Sequence, residues 1–267
     1  MTGRKGIRLG HGQTFDHMFL DGLEDAYTGG AMGSFAQATA DAHGLTREAM
    51  DQYAIASLER AKSATESGVL QGEITPVTIK TRRGEHMVEH DEQPLKGRPD
   101  KIPSLRPAFT KDGTITAANS SSISDGASAL LVASAAAVEA HNLQPMAKIV
   151  AHSRFSRPPE EFTLAPVGAI EKLLERTGWN AADVDLWEIN EAFAMVTMLA
   201  MNAFNLDHDR VNVHGGACAQ GHPIGSTGSR ILVTLAHAMQ HYGKQRGIAA
   251  LCIGGGEATA VAIERVV

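Results

Sequence analysis

Cysteine is nearly absent from this chain: Cys218 and Cys252 are the two in 267 residues. Two thiols make no disulfide framework and fit a reducing, cytoplasmic setting. Positive charge is not in excess. Twenty-four Lys and Arg against 30 Asp and Glu leave a formal net charge of −6, which gives a nucleic-acid role no support. No run approaches the roughly 18 apolar residues of a transmembrane helix. Arg4 and Lys5 are basic, but no apolar signal core follows them, so no membrane partner is expected. Aromatic residues are scarce at 5%, while hydrophobic residues reach 43% and glycines number 27. That balance suits an α/β protein with a sizeable core and small residues where helices meet a sheet.

Two ligand patterns are incomplete. His237 and His241 stand four apart on a helical pattern, but there is no H-E-x-x-H and no third ligand, so they read as a solvated helix face and no metal is expected. His86 and His90, with Glu85, Glu89 and Asp91, form a charged cluster in a polar stretch without a ligand spacing. The glycines between residues 215 and 228 do not follow a strand–G-x-G-x-x-G–helix order, which excludes a dinucleotide site.

The periodicities divide the chain near residue 123. Before it, a helical pattern runs from 34 to 43. Thr46 caps a second helix from 47 to about 66. Residues 77–80 read as a short strand, 81–107 as a long polar loop with four prolines, and 113–117 as another strand. After residue 123 the signals alternate. Strands are expected at 127–134, 147–155, 185–190, 248–253 and 258–265. Helices are expected at 135–141, 167–177 (ended by Gly178), 192–204 and from Pro223 to about 242. This βαβαβαββ order predicts a mostly parallel sheet covered by helices, with the last two strands as antiparallel neighbours.

Chemistry-bearing residues stand at three element ends. Asn190-Glu191-Ala192-Phe193 follows an apolar strand. Gly221-His222-Pro223-Ile224-Gly225 precedes a helix. Cys252-Ile253-Gly254-Gly255-Gly256 ends another apolar run. A histidine near its neutral pKa, a thiol beside a glycine loop with free N–H groups, and an amide suit acyl transfer, by nucleophile or by acid and base.

In order and spacing, and with Leu105–Phe109 and the stretch 113–126 in support, these motifs closely resemble the thiolase family over essentially the whole chain. The resemblance implies a thiolase-like βαβαβαββ C-terminal domain at 124–267, preceded at 1–123 by a mixed helical and irregular loop domain that binds coenzyme A and mediates tetramer formation. It implies acyl transfer on acetyl-CoA or acetoacetyl-CoA, by Claisen condensation or thiolysis. A 3-ketoacyl-CoA thiolase of broader chain length and a non-catalytic coenzyme A-binding relative remain open alternatives. The substrates are coenzyme A thioesters, with no separate cofactor, and a homo-oligomer, dimer or tetramer, is expected. His222 matches the base that activates the family's nucleophilic cysteine, and Cys252 the acid–base cysteine. Asn190 matches the residue holding a water in one oxyanion hole, and Gly254 an N–H donor of the other. Met32, Phe109, Ala117, Ser121, Ala192 and Phe193 match positions lining the pantetheine tunnel. Arg82 and Arg83 are either nucleotide contacts or surface charge. The family's N-terminal half and its nucleophilic cysteine have no counterpart here, so the chain alone is expected to be inactive. For Cys252 to act as a base, a positive or dipolar neighbourhood must lower its pKa.

Overall fold

The structure is a computed structural model that describes residues 10–266. Arg4, Lys5 and the other residues of 1–9, together with Val267, lie outside the described residues.

The centre is a four-stranded sheet. Its strands are β3 (Ala147–Ser156), β4 (Leu186–Ile189), β5 (Arg246–Cys252) and β6 (Glu257–Arg265), in spatial order β3-β6-β5-β4. Only β4 and β5 run parallel; β6 is antiparallel to both β5 and β3. The mostly parallel sheet expected from the sequence is therefore corrected to a mixed one. The reason is local: β5 and β6 are joined by a tight turn over residues 253–256, which reverses the chain, and β6 then lies between β5 and β3. Gly256 makes that turn close. Its φ is +97° and a Cβ there would lie 2.3 Å from the Arg157 carbonyl oxygen. The antiparallel pairing of the final two strands is as expected.

The expected first strand of the βαβαβαββ series, 127–134, is not formed. These residues carry no strand pairing, and Leu131 is 88% exposed. A strand needs a neighbour for its backbone N–H and C=O groups, and no described strand lies alongside. Helix α4 (Ala135–Ala140) does follow, capped by the Ser134 side chain.

The sheet buries both faces. Helix α5 (Ala165–Thr177) places Ala165, Ala169, Ile170 and Leu173 on the face formed by Trp187, Ile189, Ile248, Ala250, Ala258, Ala260 and Ala262. Gly178 ends the helix at φ +69°, where L side chains are disfavoured. Helix α8 (Thr227–His241) places Ile231, Leu235, Ala238 and Met239 on the opposite face, against Leu186, Ala249 and Ile263. Both helices show the i, i+3, i+4 spacing that makes one apolar stripe. Each fully buried Ile or Leu contributes about 1.5–3 kcal/mol.

The residues before 124 are helical where the pattern said so. Helix α1 covers Met32–Ala42, and α2 covers Arg47–Ser67, with the Thr46 hydroxyl accepting from Ala49 N–H. The polar loop is more ordered than its composition suggests. Strands β1 (Val77–Thr81) and β2 (Gly84–Val88) form an antiparallel hairpin, followed by the short helix α3 (Glu92–Lys96) and a 3-10 stretch at Pro99–Ser104. The strand expected at 113–117 is absent apart from one Pro107–Thr116 bridge. Side chains take its backbone donors instead: Gln37 Oε1 accepts from Thr114 and Ile115 N–H, and Asn119 Oδ1 from Thr116 N–H. Helix α6 (Ala194–Phe204) and the short α7 (Ala217–Gln220) complete the elements around the site.

Candidate active site

The carboxyl ends of the parallel pair β4 and β5 carry Asn190 and Cys252. Asn190 continues the ladder, its N–H donating to the Ala250 carbonyl at 2.9 Å. His222 comes to the same edge from the loop before α8. Its backbone N–H donates to the Ser122 carbonyl at 3.1 Å. The imidazole is held on both sides. Thr227 Oγ1 lies 2.6 Å from Nδ1 and donates its own proton to the Pro223 carbonyl at 3.0 Å. The threonine oxygen therefore accepts from Nδ1–H, which leaves Nε2 as the unprotonated nitrogen. Asn190 Nδ2 lies 3.4 Å from that Nε2 and donates to it. Burial, with the positive Arg230 as a lesser cause, lowers His222 to about 4. At neutral pH this is a neutral imidazole with an oriented lone pair. Asn190 Oδ1 is buried without a protein partner, so it is available to accept from a ligand.

Cys252 reaches this edge from the other side of the sheet. Leu251 packs on the α8 face, while Cys252 joins the cluster of Met32, Phe162, Phe193 and Leu199. Among the described residues a hydrogen bond joins Asn190 to His222, and Cys252 stands at the end of the adjacent strand. The sequence argument required a lowered thiol pKa, and the structure corrects this. Among the described residues no cation faces the thiol, and burial pushes it up to about 12. Gly254 follows two residues later, with Met32 Sδ 2.9 Å from where a Cβ would be. Among the described residues its N–H donates to no protein acceptor.

Glu191 underpins these loops, and the sequence revealed little of that. Its carboxylate is fully buried. Oε1 accepts from Tyr53 OH at 2.9 Å and Asn212 Nδ2 at 2.8 Å. Oε2 accepts from Ser57 Oγ at 2.8 Å and Cys218 N–H at 3.0 Å. Gly216 lies so close that a Cβ would be 2.3 Å from the carboxyl carbon. Helix α2 is thereby tied to the Asn190 loop and to α7, which leads to His222. Tyr53, Ser57 and Asn212 carry no sequence signal. Thr227, by contrast, lies five residues after His222, at the helix start that Pro223 announces. Cys218 is a half-buried thiol that donates to the Glu191 carbonyl at 3.8 Å and is pushed well up by desolvation and by Glu191.

The six tunnel candidates divide. Met32, Ala192 and Phe193 pack in the Cys252 cluster. Phe109 stands edge-on to Phe193, with ring centroids 6.1 Å apart. Ser121 is joined to Ala192 through its N–H and its hydroxyl, each 3.0 Å from the Ala192 carbonyl. Ala117 is exposed on the neighbouring loop. Arg82 and Arg83 occupy the exposed turn of the β1–β2 hairpin. No three His, Cys, Asp or Glu side chains among the described residues converge on a metal position, and no described helix is long and apolar enough to cross a membrane.

The family model of the thiolase N-terminal domain matches residues 1–136, and that of the thiolase C-terminal domain matches residues 143–265. The chain is similar to the acetyl-CoA acetyltransferase of Schizosaccharomyces pombe, at 43% identity over 265 residues, covering 98% of this chain and 67% of that protein. It is similar in structure to the acetyl-CoA acetyltransferase of Bacillus anthracis, with a TM-score of 0.93 at 40% identity, covering 98% of this chain and 67% of that one. The thiolase from Ascaris suum in complex with coenzyme A gives a TM-score of 0.87 at 39% identity, covering 97% of this chain and 66% of that one. The chain thus spans about two thirds of the length of the relatives it matches. Two domain models covering nearly all of it and close agreement of fold lead to one conclusion: the chain belongs to the thiolase family of acyltransferases.

Proposed function

We propose that this chain carries the acid–base part of a thiolase site acting on acetyl-CoA and acetoacetyl-CoA, with residues 1–123 meeting coenzyme A and 124–267 supplying the chemistry. The observation that carries this reading is the oriented imidazole, with His222 Nδ1 committed to Thr227 and Nε2 unprotonated, accepting a long bond from Asn190. A neutral base so placed suits removal of a proton from a nucleophilic thiol. In the thiolysis direction that thiolate attacks the 3-keto carbon. The C2–C3 bond breaks, and the departing acetyl-CoA enolate takes a proton from Cys252. A thiol at about 12 is protonated at rest, which suits it to that donation. In condensation Cys252 first gives its proton to the coenzyme A that departs when the nucleophilic thiol is acylated, and the thiolate so formed takes the α-proton from acetyl-CoA. Asn190 Oδ1 and Gly254 N–H, both without protein partners, suit a bound water and a thioester oxygen. The thiolase similar in structure that was solved with coenzyme A supports the pantetheine reading of Met32, Phe109, Ala117, Ser121, Ala192 and Phe193. The acetyl-CoA acetyltransferases it resembles favour a short acyl group.

Neither thiol within these residues suits the role of acyl carrier. Cys218 is committed to Glu191, and Cys252 is protonated and buried. The test is to incubate the 267-residue chain with acetyl-CoA, then with acetoacetyl-CoA and coenzyme A, alone and mixed with a thiolase chain that supplies the nucleophilic thiol. The expected result alone is no turnover and no stable acetyl group on either cysteine by intact-mass analysis. Turnover near that of a full-length thiolase, with acetyl on Cys252, would make Cys252 the nucleophile and overturn the assignment.

A further inference from the structure

Behind His222, charged groups from three elements meet without meeting each other's hydrogen-bond needs. Strand β4 alternates, so Leu186 and Glu188 face α8 while Trp187 and Ile189 face α5. Glu188 is 2% exposed, and its Oε1 has no partner among the described residues. Across from it on α8, the Nε, Nη1 and Nη2 atoms of Arg230 are all buried and equally unpartnered. Thr234, one turn further along α8, donates to Glu73 Oε1 at 3.1 Å, which brings Glu73 from the end of the 3-10 turn Val69–Gly72 to the same place. Glu73 Oε2 is buried and unpartnered too.

Burying a guanidinium without a counter-charge carries a penalty of several kcal/mol, and so does burying a free carboxylate. Two carboxylates near each other hold one proton between them, because both cannot ionise cheaply. The low-energy state is one positive charge, one negative charge and one retained proton. The charges around the cluster fit this. Burial raises Glu188 to about 8, with Arg230 opposing and with Glu73 and Glu191 adding to the rise. Burial raises Glu73 to about 7, with the Thr234 hydroxyl and then Arg230 opposing and Asp91 adding to the rise. Asp91 is raised by burial and lowered by Arg230. Thr227, which fixes His222, lies three residues before Arg230 on the same helix.

We propose that Glu188 and Glu73 share a proton opposite Arg230, and that Arg230 is a positioning residue which adds to burial in keeping His222 in its neutral, base-competent form. The proposal deepens the reading of His222 as the base and rests on it. It predicts that the imidazole responds to two distinct events: its own protonation, and the loss of the shared proton near neutral pH.

The test is the titration of the His222 ring nitrogens by NMR in the 267-residue chain, assigned by comparison with His222→Asn. Arg230→Gln is expected to raise the His222 midpoint by about one unit or more, and Arg230→Lys to leave it within about 0.3 unit. Glu188→Gln is expected to remove the second inflection of the His222 signals between pH 7 and 8. A folded Arg230→Gln chain with an unmoved midpoint would overturn the proposal. If that variant does not fold, Glu188→Gln decides, and persistence of the upper inflection overturns it. The readout needs no catalysis, so failure of the acyl-transfer reading and failure of this proposal remain distinguishable.

Discussion

Glu191 and Cys252 are both buried side chains, but their hydrogen-bond surroundings differ. Four donors from three separate segments converge on Glu191, so burial there strengthens each bond. Glu191→Ala removes the acceptor of Tyr53 OH, Ser57 Oγ and the Cys218 N–H at once, while Asn212 Nδ2 keeps the Ile189 carbonyl. The expected loss is roughly 3–5 kcal/mol, since breaking a buried charged network costs about that much. It is read as a shift in the urea midpoint, and a loss below about 1 kcal/mol would show that the carboxylate is not an anchor. Cys252 has no such set of donors: burial is the largest influence on its thiol and raises it, with its own backbone N–H opposing. At pH 7.5 the native chain is therefore expected to leave both cysteines unalkylated by iodoacetamide for hours, and to label both within minutes in urea. Rapid labelling of native Cys252 would mean a thiolate that the geometry does not support.

The elements that frame the site depend on close approaches. The β5–β6 turn works because Gly256 combines a positive φ with contact against the Arg157 carbonyl. Gly256→Ala is expected to cost about 2 kcal/mol or more, from backbone strain together with a contact that cannot relax cheaply. Gly225, close to His222 in sequence, has no positive φ, and no heavy atom lies within 4 Å of where its Cβ would be. Gly225→Ala should be neutral within about 0.5 kcal/mol. Thermal unfolding of the two variants side by side distinguishes a turn that needs glycine from a loop that merely has one. The result fails the argument if both behave alike.

For the whole molecule, opposed buried groups shape stability against pH. His222 and His214 fall to about 4 from an ordinary 6.5, chiefly through burial. Unfolding lets them take up protons, so their contribution is intact above 6.5 and is lost as pH falls to about 4. Glu188 and Glu73 rise from 4.5 to about 8 and about 7. The folded chain holds protons there that the unfolded chain releases, so their contribution is intact below 4.5 and is lost as pH rises towards 8. Between 4.5 and 6.5 the two pairs offset each other. The chain should therefore be most stable across that plateau and weaken on both sides, as measured by urea midpoints from pH 4 to 9. Glu188→Gln should flatten the limb between 6.5 and 8; an unchanged limb would place the proton elsewhere.

Much of the local structure was already legible in the residues. Thr46 announced α2, Gly178 ended α5, and the apolar stripes of α5 and α8 stood at helical spacing, because caps and periodicity are properties of a short stretch of chain. The three motifs at Asn190, His222 and Cys252 were legible for the same reason: each sits where an element meets a loop. What crosses the chain was not. The strand at 127–134 has the right composition, but a strand exists only with a partner. The stretch 113–117 gave its donors to Gln37 and Asn119 rather than to a ladder. The sheet's mixed direction followed from β6 being placed between β5 and β3. The sequence alone determined which side chains could do acid–base chemistry. Only the tertiary structure decided their state, because the solvent excluded and the charges met at Cys252, Glu188 and His222 come from segments far apart in the chain.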